Sequence, residues 1–173
     1  ARQLGDDVVV VRGPLARDTL HLDAIPLRDQ AERLAWLAEH LPGMPGAGIV
    51  YCLTVADTQR VSGWLRGRDI DARPYNADID PAEREALEQD LLANRLKALV
   101  ATVALGMGFD KPDLGFVIHY QRPGSPIAYY QQVGRAGRAV DSAWGILLAG
   151  REDDRIAEYF IQTPHMLALA VMA

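Results

Sequence analysis

The chain has 173 residues, of which 49% are hydrophobic, a length and composition that suit one domain with a real core. Lys plus Arg is 18 against 23 Asp plus Glu, and the net charge of −5 argues against a domain held to nucleic acid by bulk positive charge, while leaving room for a few placed phosphate contacts. Its one cysteine, Cys52, excludes an internal disulfide framework and a cysteine-rich zinc module within this sequence, and the scattered His21, His40, His119 and His165 suggest no metal site.

Along the chain, the β-branched run Val8–Val11 and the alternation Leu20, Leu22, Ala24 both read as strands. Residues 27–41 carry Leu27, Ala31, Leu34, Ala35, Leu37, Ala38 and Leu41 at helical spacing and stop at Pro42-Gly43. Ala47 to Cys52 is a continuous apolar run, as expected of a strand buried on both faces. Thr54 is placed to cap a helix containing Val55, Val61, Trp64 and Leu65, and Ala72 to Tyr75 is a short strand. Asp80 before Pro81, with Glu83 three residues on, marks a helix start that Ala86, Leu87, Leu91 and Leu92 continue. Leu96 to Ala101, Phe116 to His119 and Gly145 to Ala149 read as strands, with helices from Pro126 to Val133 and through Ile156 to Ile161. Such alternation predicts an α/β fold, a mostly parallel central sheet flanked by helices.

In open α/β sheets, ligands bind beyond the carboxyl ends of strands. One such place is the loop Thr102 to Pro112, where Gly106-Met107-Gly108 offers close backbone approach and Asp110 a carboxylate suited to a ribose hydroxyl or a metal-bound water. Taken alone, the Gly-x-Gly is equally a tight turn. A second is Gln131-Gln132-Val133-Gly134-Arg135-Ala136-Gly137-Arg138 at the end of a helix. Its two arginines match phosphate oxygens through a planar fork that stays charged, and the small residues between them leave room for another surface to approach. The plain alternative is two solvated arginines on an exposed turn.

In this order the pieces resemble the second RecA-like lobe of superfamily 2 helicases of the RecQ family. Gly48-Ile49-Val50-Tyr51-Cys52 is similar to motif IV, Val100 to Gly108 to motif V, and Tyr129-Tyr130-Gln131 through Arg138 to motif VI. Tyr75-Asn76-Ala77 stands where the family usually has Tyr-His-Ala-Gly. The resemblance implies a three-layer RecA-like lobe over residues 27–162, preceded in 1–26 by a connection from another motor lobe and followed in 163–173 by the start of a further segment, the apolar run Met166 to Val171. It also implies that ATP and Mg²⁺ are bound mainly by a preceding lobe, since no Gly-x-x-x-x-Gly-Lys-Ser/Thr occurs in this sequence, which alone would be inactive. Arg138 would be the arginine finger, Arg135 a γ-phosphate contact, and Gln131 an organiser of that motif, the three forming the catalytic set. Asp110 and Gly108 would join the two arginines at the nucleotide. Thr102, Thr54 and Asn76 would face DNA, with Thr54 equally a helix cap and Asn76 replacing the family's usual histidine.

The expected activity is that of an ATP-dependent DNA helicase or translocase moving 3′ to 5′ on single-stranded or forked DNA, in repair or recombination. No apolar run reaches the roughly 18 residues of a membrane helix and no signal peptide opens the sequence, so a bacterial cytoplasmic protein, at the nucleoid when acting, is expected. Two competing readings are an RNA helicase lobe and a non-motor nucleotide-binding regulatory module. A dinucleotide-binding domain is disfavoured because Gly106-Met107-Gly108 lacks the third spaced glycine and the downstream acid.

Overall fold

A computed structural model describes residues 18–106 and 108–150. The expected strand at 8–11, helix at 156–161 and apolar run at 166–171 lie outside these residues. The described order is β1 (Leu20–Pro26), α1 (Gln30–His40), a 3-10 turn (Leu41–Gly43), β2 (Gly48–Tyr51), α2 (Val55–Arg66), β3 (Ala72–Tyr75), α3 (Pro81–Leu92), β4 (Ala98–Ala101), β5 (Phe116–His119), α4 (Pro126–Val133) and β6 (Ala143–Ala149).

The six strands form one sheet in the order β1-β6-β5-β2-β4-β3, and every pairing is parallel. Parallel strands need covered faces, and here the side chains of successive strand residues divide between two clusters. Val50, Val100, Ile118, Ile146 and Leu148 pack with Leu37 of α1 and Val61 and Leu65 of α2. Ile49, Tyr51, Leu99, Ala101 and Val117 pack on the other side with Leu91 of α3 and Val133 of α4. The result is the expected three layers.

Short polar caps set the helix starts. Asp29, Thr54 and Ser125 each accept a hydrogen bond from the backbone N–H three residues on, and Asp80 from the N–H of Ala82, satisfying first-turn donors that no helical carbonyl reaches. Trp64 lies at the surface, its indole N–H donating to the Leu34 carbonyl and the Arg68 guanidinium 3.2 Å over its ring. No helix among the described residues is long and apolar enough to cross a membrane.

Several details differ from the sequence reading, among them β4, which begins at Ala98 and not at Leu96. The first helix begins at Gln30, not residue 27, because Asp29 caps it. β6 begins two residues early, at Ala143, where it pairs with Leu20. β1 alternates in sequence but leaves Leu22 52% exposed, since it lies at the sheet edge with neither face well covered.

Candidate functional site

Two groups of the sequence-predicted residues come together, at different places on the sheet. The first joins the loop after β4 to the turn after α4. Arg138 donates from Nη1 to Asp110 Oδ1 at 2.6 Å, an ion pair whose side chains are 41% and 59% exposed. Arg135 reaches the same loop differently, its two Nη groups donating to the carbonyls of Phe109 at 2.7 Å and Gly106 at 3.0 Å. One arginine thus braces the loop, and the other rests on a carboxylate in the open. Gly108 and Gln131 are exposed beside them.

The small residues between the arginines do not serve the approach of another surface. Ala136 is fully buried, and Gly137 adopts φ +75°, where a side chain is strained and a Cβ would press on Thr19 and Ala143. Thr19 Oγ1 donates to the Gly137 carbonyl at 2.9 Å and Gly137 N donates to Leu114 O at 3.2 Å. These residues are small because the turn packs onto its own sheet. Gly106 and Gly108, by contrast, have no positive φ, and the space where a Cβ would stand is open at Gly108 and nearly so at Gly106.

The second group runs along the carboxyl ends of β5, β2, β4 and β3. Gln121, past β5, accepts from Leu53 N at 2.9 Å and donates to Asp57 Oδ2 at 2.7 Å. Asp57 also takes the Thr54 hydroxyl proton at 2.7 Å and an ion pair from Arg60. At the far end of the row, past β3, Asn76 Nδ2 donates to Thr58 Oγ1 at 2.9 Å, and Asn76 Oδ1 accepts from Asp78 N at 3.1 Å. Thr102 N donates to Tyr75 O, and Thr102 Oγ1 accepts from Ala104 N at 3.3 Å.

This geometry corrects one expected DNA contact. Asn76 has no exposed surface and spends both ends of its amide inside the protein, so it shapes the loop after β3 instead of meeting a strand. Thr54 is the helix cap, with its hydroxyl committed to Asp57. Thr102 stays at the surface margin, 9% exposed.

Beneath the arginine turn lies a cluster around His119 and Gln132, to which the sequence analysis assigned no role. His119 is buried, and its Nε2 is 2.7 Å from Gln132 Oε1. Its ring lies between those of Tyr51 and Tyr129, with centroids 5.6 and 5.0 Å away. Burial pulls the His119 pKa down to about 4, against the opposing hydrogen bond with Gln132, so the ring is neutral near pH 7. Burial likewise pushes the Tyr51 hydroxyl up to about 12, opposed by the charge of Arg135 nearby. The Cys52 thiol is driven up by full burial and next by the Asp57 charge, which leaves it unreactive. Asp57 carried a usable sequence signal, since Thr54-x-x-Asp57 has capping-box spacing. Gln121 and Gln132 carried none, because their partners are remote in sequence.

Residues 32–140 match the family model of the helicase conserved C-terminal domain. Among curated proteins, the chain is 40% identical over 116 residues to the putative ATP-dependent DNA helicase Q1 of Caenorhabditis elegans, covering 67% of this chain and 18% of that protein. It is 37% identical over 139 residues to the RecQ-like DNA helicase blm-1 of the same organism, covering 79% and 14%. The chain therefore spans less than a fifth of the length of these relatives. Among solved structures, the Escherichia coli DEAD-box protein SrmB bound to regulator of ribonuclease activity A aligns with a TM-score of 0.71 at 26% identity, over 81% of this chain and 83% of that one. Mycobacterium smegmatis Lhr bound to ssDNA and AMP-PNP aligns at 0.69 and 24% identity, over 87% and 22%, a likeness of fold.

Proposed function

The chain belongs to the helicase conserved C-terminal domain family, on its RecQ branch, and from that premise we propose that it is the second RecA-like motor lobe of an ATP-dependent DNA helicase. The observation that carries the reading is the Arg138–Asp110 ion pair beside Arg135, two guanidinium groups and a carboxylate held on one open loop-and-turn surface. ATP and Mg²⁺ are held mainly by a preceding lobe, and closure brings this surface onto the nucleotide. Asp110 then turns to a ribose hydroxyl, freeing Arg138 to meet the charge that develops on the transferring phosphoryl group. Arg135 fixes the loop through Gly106 and Phe109 and contacts the γ-phosphate, with Gln131 ordering the turn and Gly108 leaving space for the nucleotide.

DNA lies along the strand-end row, its backbone met by Thr102 and the first-turn amides of α2, while Asn76 and Thr54 shape that edge from inside. Such contacts need little net positive charge, which suits the −5 of the chain. The reading includes 3′ to 5′ movement on single-stranded or forked DNA. One structural neighbour, yeast Dbp5, was solved bound to RNA, so RNA belongs in the test beside DNA. The experiment is ATP hydrolysis by this chain alone and by the chain joined to its natural preceding lobe, each with single-stranded DNA, with RNA and without either. DNA-stimulated turnover by the joined protein, and none by the chain alone, is expected. A joined protein inert under all three conditions would refute the reading.

A further inference from the structure

We infer that His119 is a positioning residue that locks the arginine turn to β5, and through β5 to the strand-end row, so that the two surfaces move as one piece. The inference rests on the motor-lobe reading and adds to it the part that couples nucleic acid to turnover.

The chain of contacts is continuous. Gln132, in the last turn of α4, accepts at its carbonyl from Arg135 N at 3.1 Å, so what holds Gln132 also holds the backbone that carries Arg135. His119 Nε2 meets that amide oxygen at 2.7 Å, and because an amide oxygen only accepts, the proton sits on Nε2. The tautomer does not change near neutral pH, since burial keeps the ring uncharged. From His119 the backbone continues through Tyr120, fully buried, whose N–H donates to the Tyr51 carbonyl at 2.9 Å. It then reaches Gln121, which holds both Leu53 N and Asp57 at the head of α2. Two residues of one rigid strand end thus grip the arginine turn on one side and the nucleic-acid edge on the other.

The test uses the joined two-lobe protein. His119→Phe keeps a ring of similar size and removes the donor, and His119→Gln returns an N–H close to the Nε2 position. Gln132→Leu removes the acceptor, and Ile118→Val, on the opposite face of β5, is a core control. His119→Phe should lower DNA-stimulated kcat by about 10–100-fold, the range for slight misplacement of catalytic groups, with little change in KM for ATP. His119→Gln should recover most of that loss, and Gln132→Leu should reproduce it and add nothing to His119→Phe in the double variant. Amide hydrogen exchange at residues 134–138 of the same proteins should speed up in His119→Phe and return in His119→Gln. Unchanged exchange there, or a loss shared by Ile118→Val and unrelieved by His119→Gln, would overturn the inference. The exchange measurement decides it even if the wild-type protein shows no DNA-stimulated turnover, a result that would refute the motor reading alone.

Discussion

Replacing Arg138 by Ala should separate rate from stability more sharply than any other change in this lobe. The structural cost is small. The side chain is 41% exposed and its partner Asp110 59%, and exposed ion pairs contribute about 0–1 kcal/mol. At roughly 2–4 °C per kcal/mol for a domain of this size, the melting temperature should fall by no more than about 4 °C. The catalytic cost is much larger, because an arginine finger accelerates phosphoryl transfer by about 10³–10⁵, or about 4–7 kcal/mol of barrier. Arg135→Ala should show the other balance. It removes two charged hydrogen bonds, to the carbonyls of Phe109 and Gly106, each worth about 1.5–3 kcal/mol, and so costs fold stability as well as rate. The assay is ATP turnover by the joined two-lobe protein, with binding of a non-hydrolysable ATP analogue and a thermal melt measured in parallel. Arg138→Ala should bind the analogue and melt nearly as the parent does. Turnover within about tenfold of the parent would refute the finger assignment, since even the low end of the range is larger.

Asn76→Ala should cost about 1–3 kcal/mol, because it removes the acceptor of the Asp78 amide and the donor to the buried Thr58 hydroxyl, which keeps only its bond to Val55 O, and a melt that does not move would show that the amide is not a structural tie. Thr102→Ala should reduce DNA-stimulated turnover more than basal turnover, and an equal loss in both would place Thr102 with the nucleotide instead. The His119 pKa is depressed from 6.5 to about 4, so the unfolded chain binds the extra proton first, and the stability this group contributes is complete above about pH 6.5 and lost as pH falls towards 4. That loss amounts to roughly 3 kcal/mol at most, and a urea titration should show the parent losing more stability than His119→Gln between pH 6.5 and 4. Gly115→Ala should abolish folding or nearly so, because a Cβ there would run into the backbone carbonyl of Pro45, and a folded variant with an unchanged melt would disprove that crossing.

Most of the architecture was readable because it rests on local chemistry. β3, β5, α3 and α4 fall where period, caps and proline put them, since Asp80-Pro81 and Ser125-Pro126 each state a helix start within two residues. The arginine pair was readable as a spaced motif, but the work done by the residues between the arginines was not. That Gly137 takes a positive φ and leans on Thr19 is decided by a contact across 118 residues. Asn76 was misjudged for the same reason, because its burial depends on Thr58 in another helix. Local pattern states where a side chain begins, whereas the fold alone states what it faces.

The pairing of β1 with β6 bears on how the lobe is made. Leu20 lies opposite Ala143, and β1 touches no other strand of the sheet. A pairing this distant in sequence is slow to form and forms after the contacts that need shorter loops. During synthesis, therefore, β1 emerges before β6, its partner among the described strands, has been made. β1 therefore joins the sheet after β2 to β5, whose partners lie nearer in sequence. The Gly137 turn bonds Thr19 and packs beside Ala143, contacts that it gains only when both strands are in place. The turn that carries the arginines thus takes its full set of contacts only after the most distant pairing of the sheet has formed.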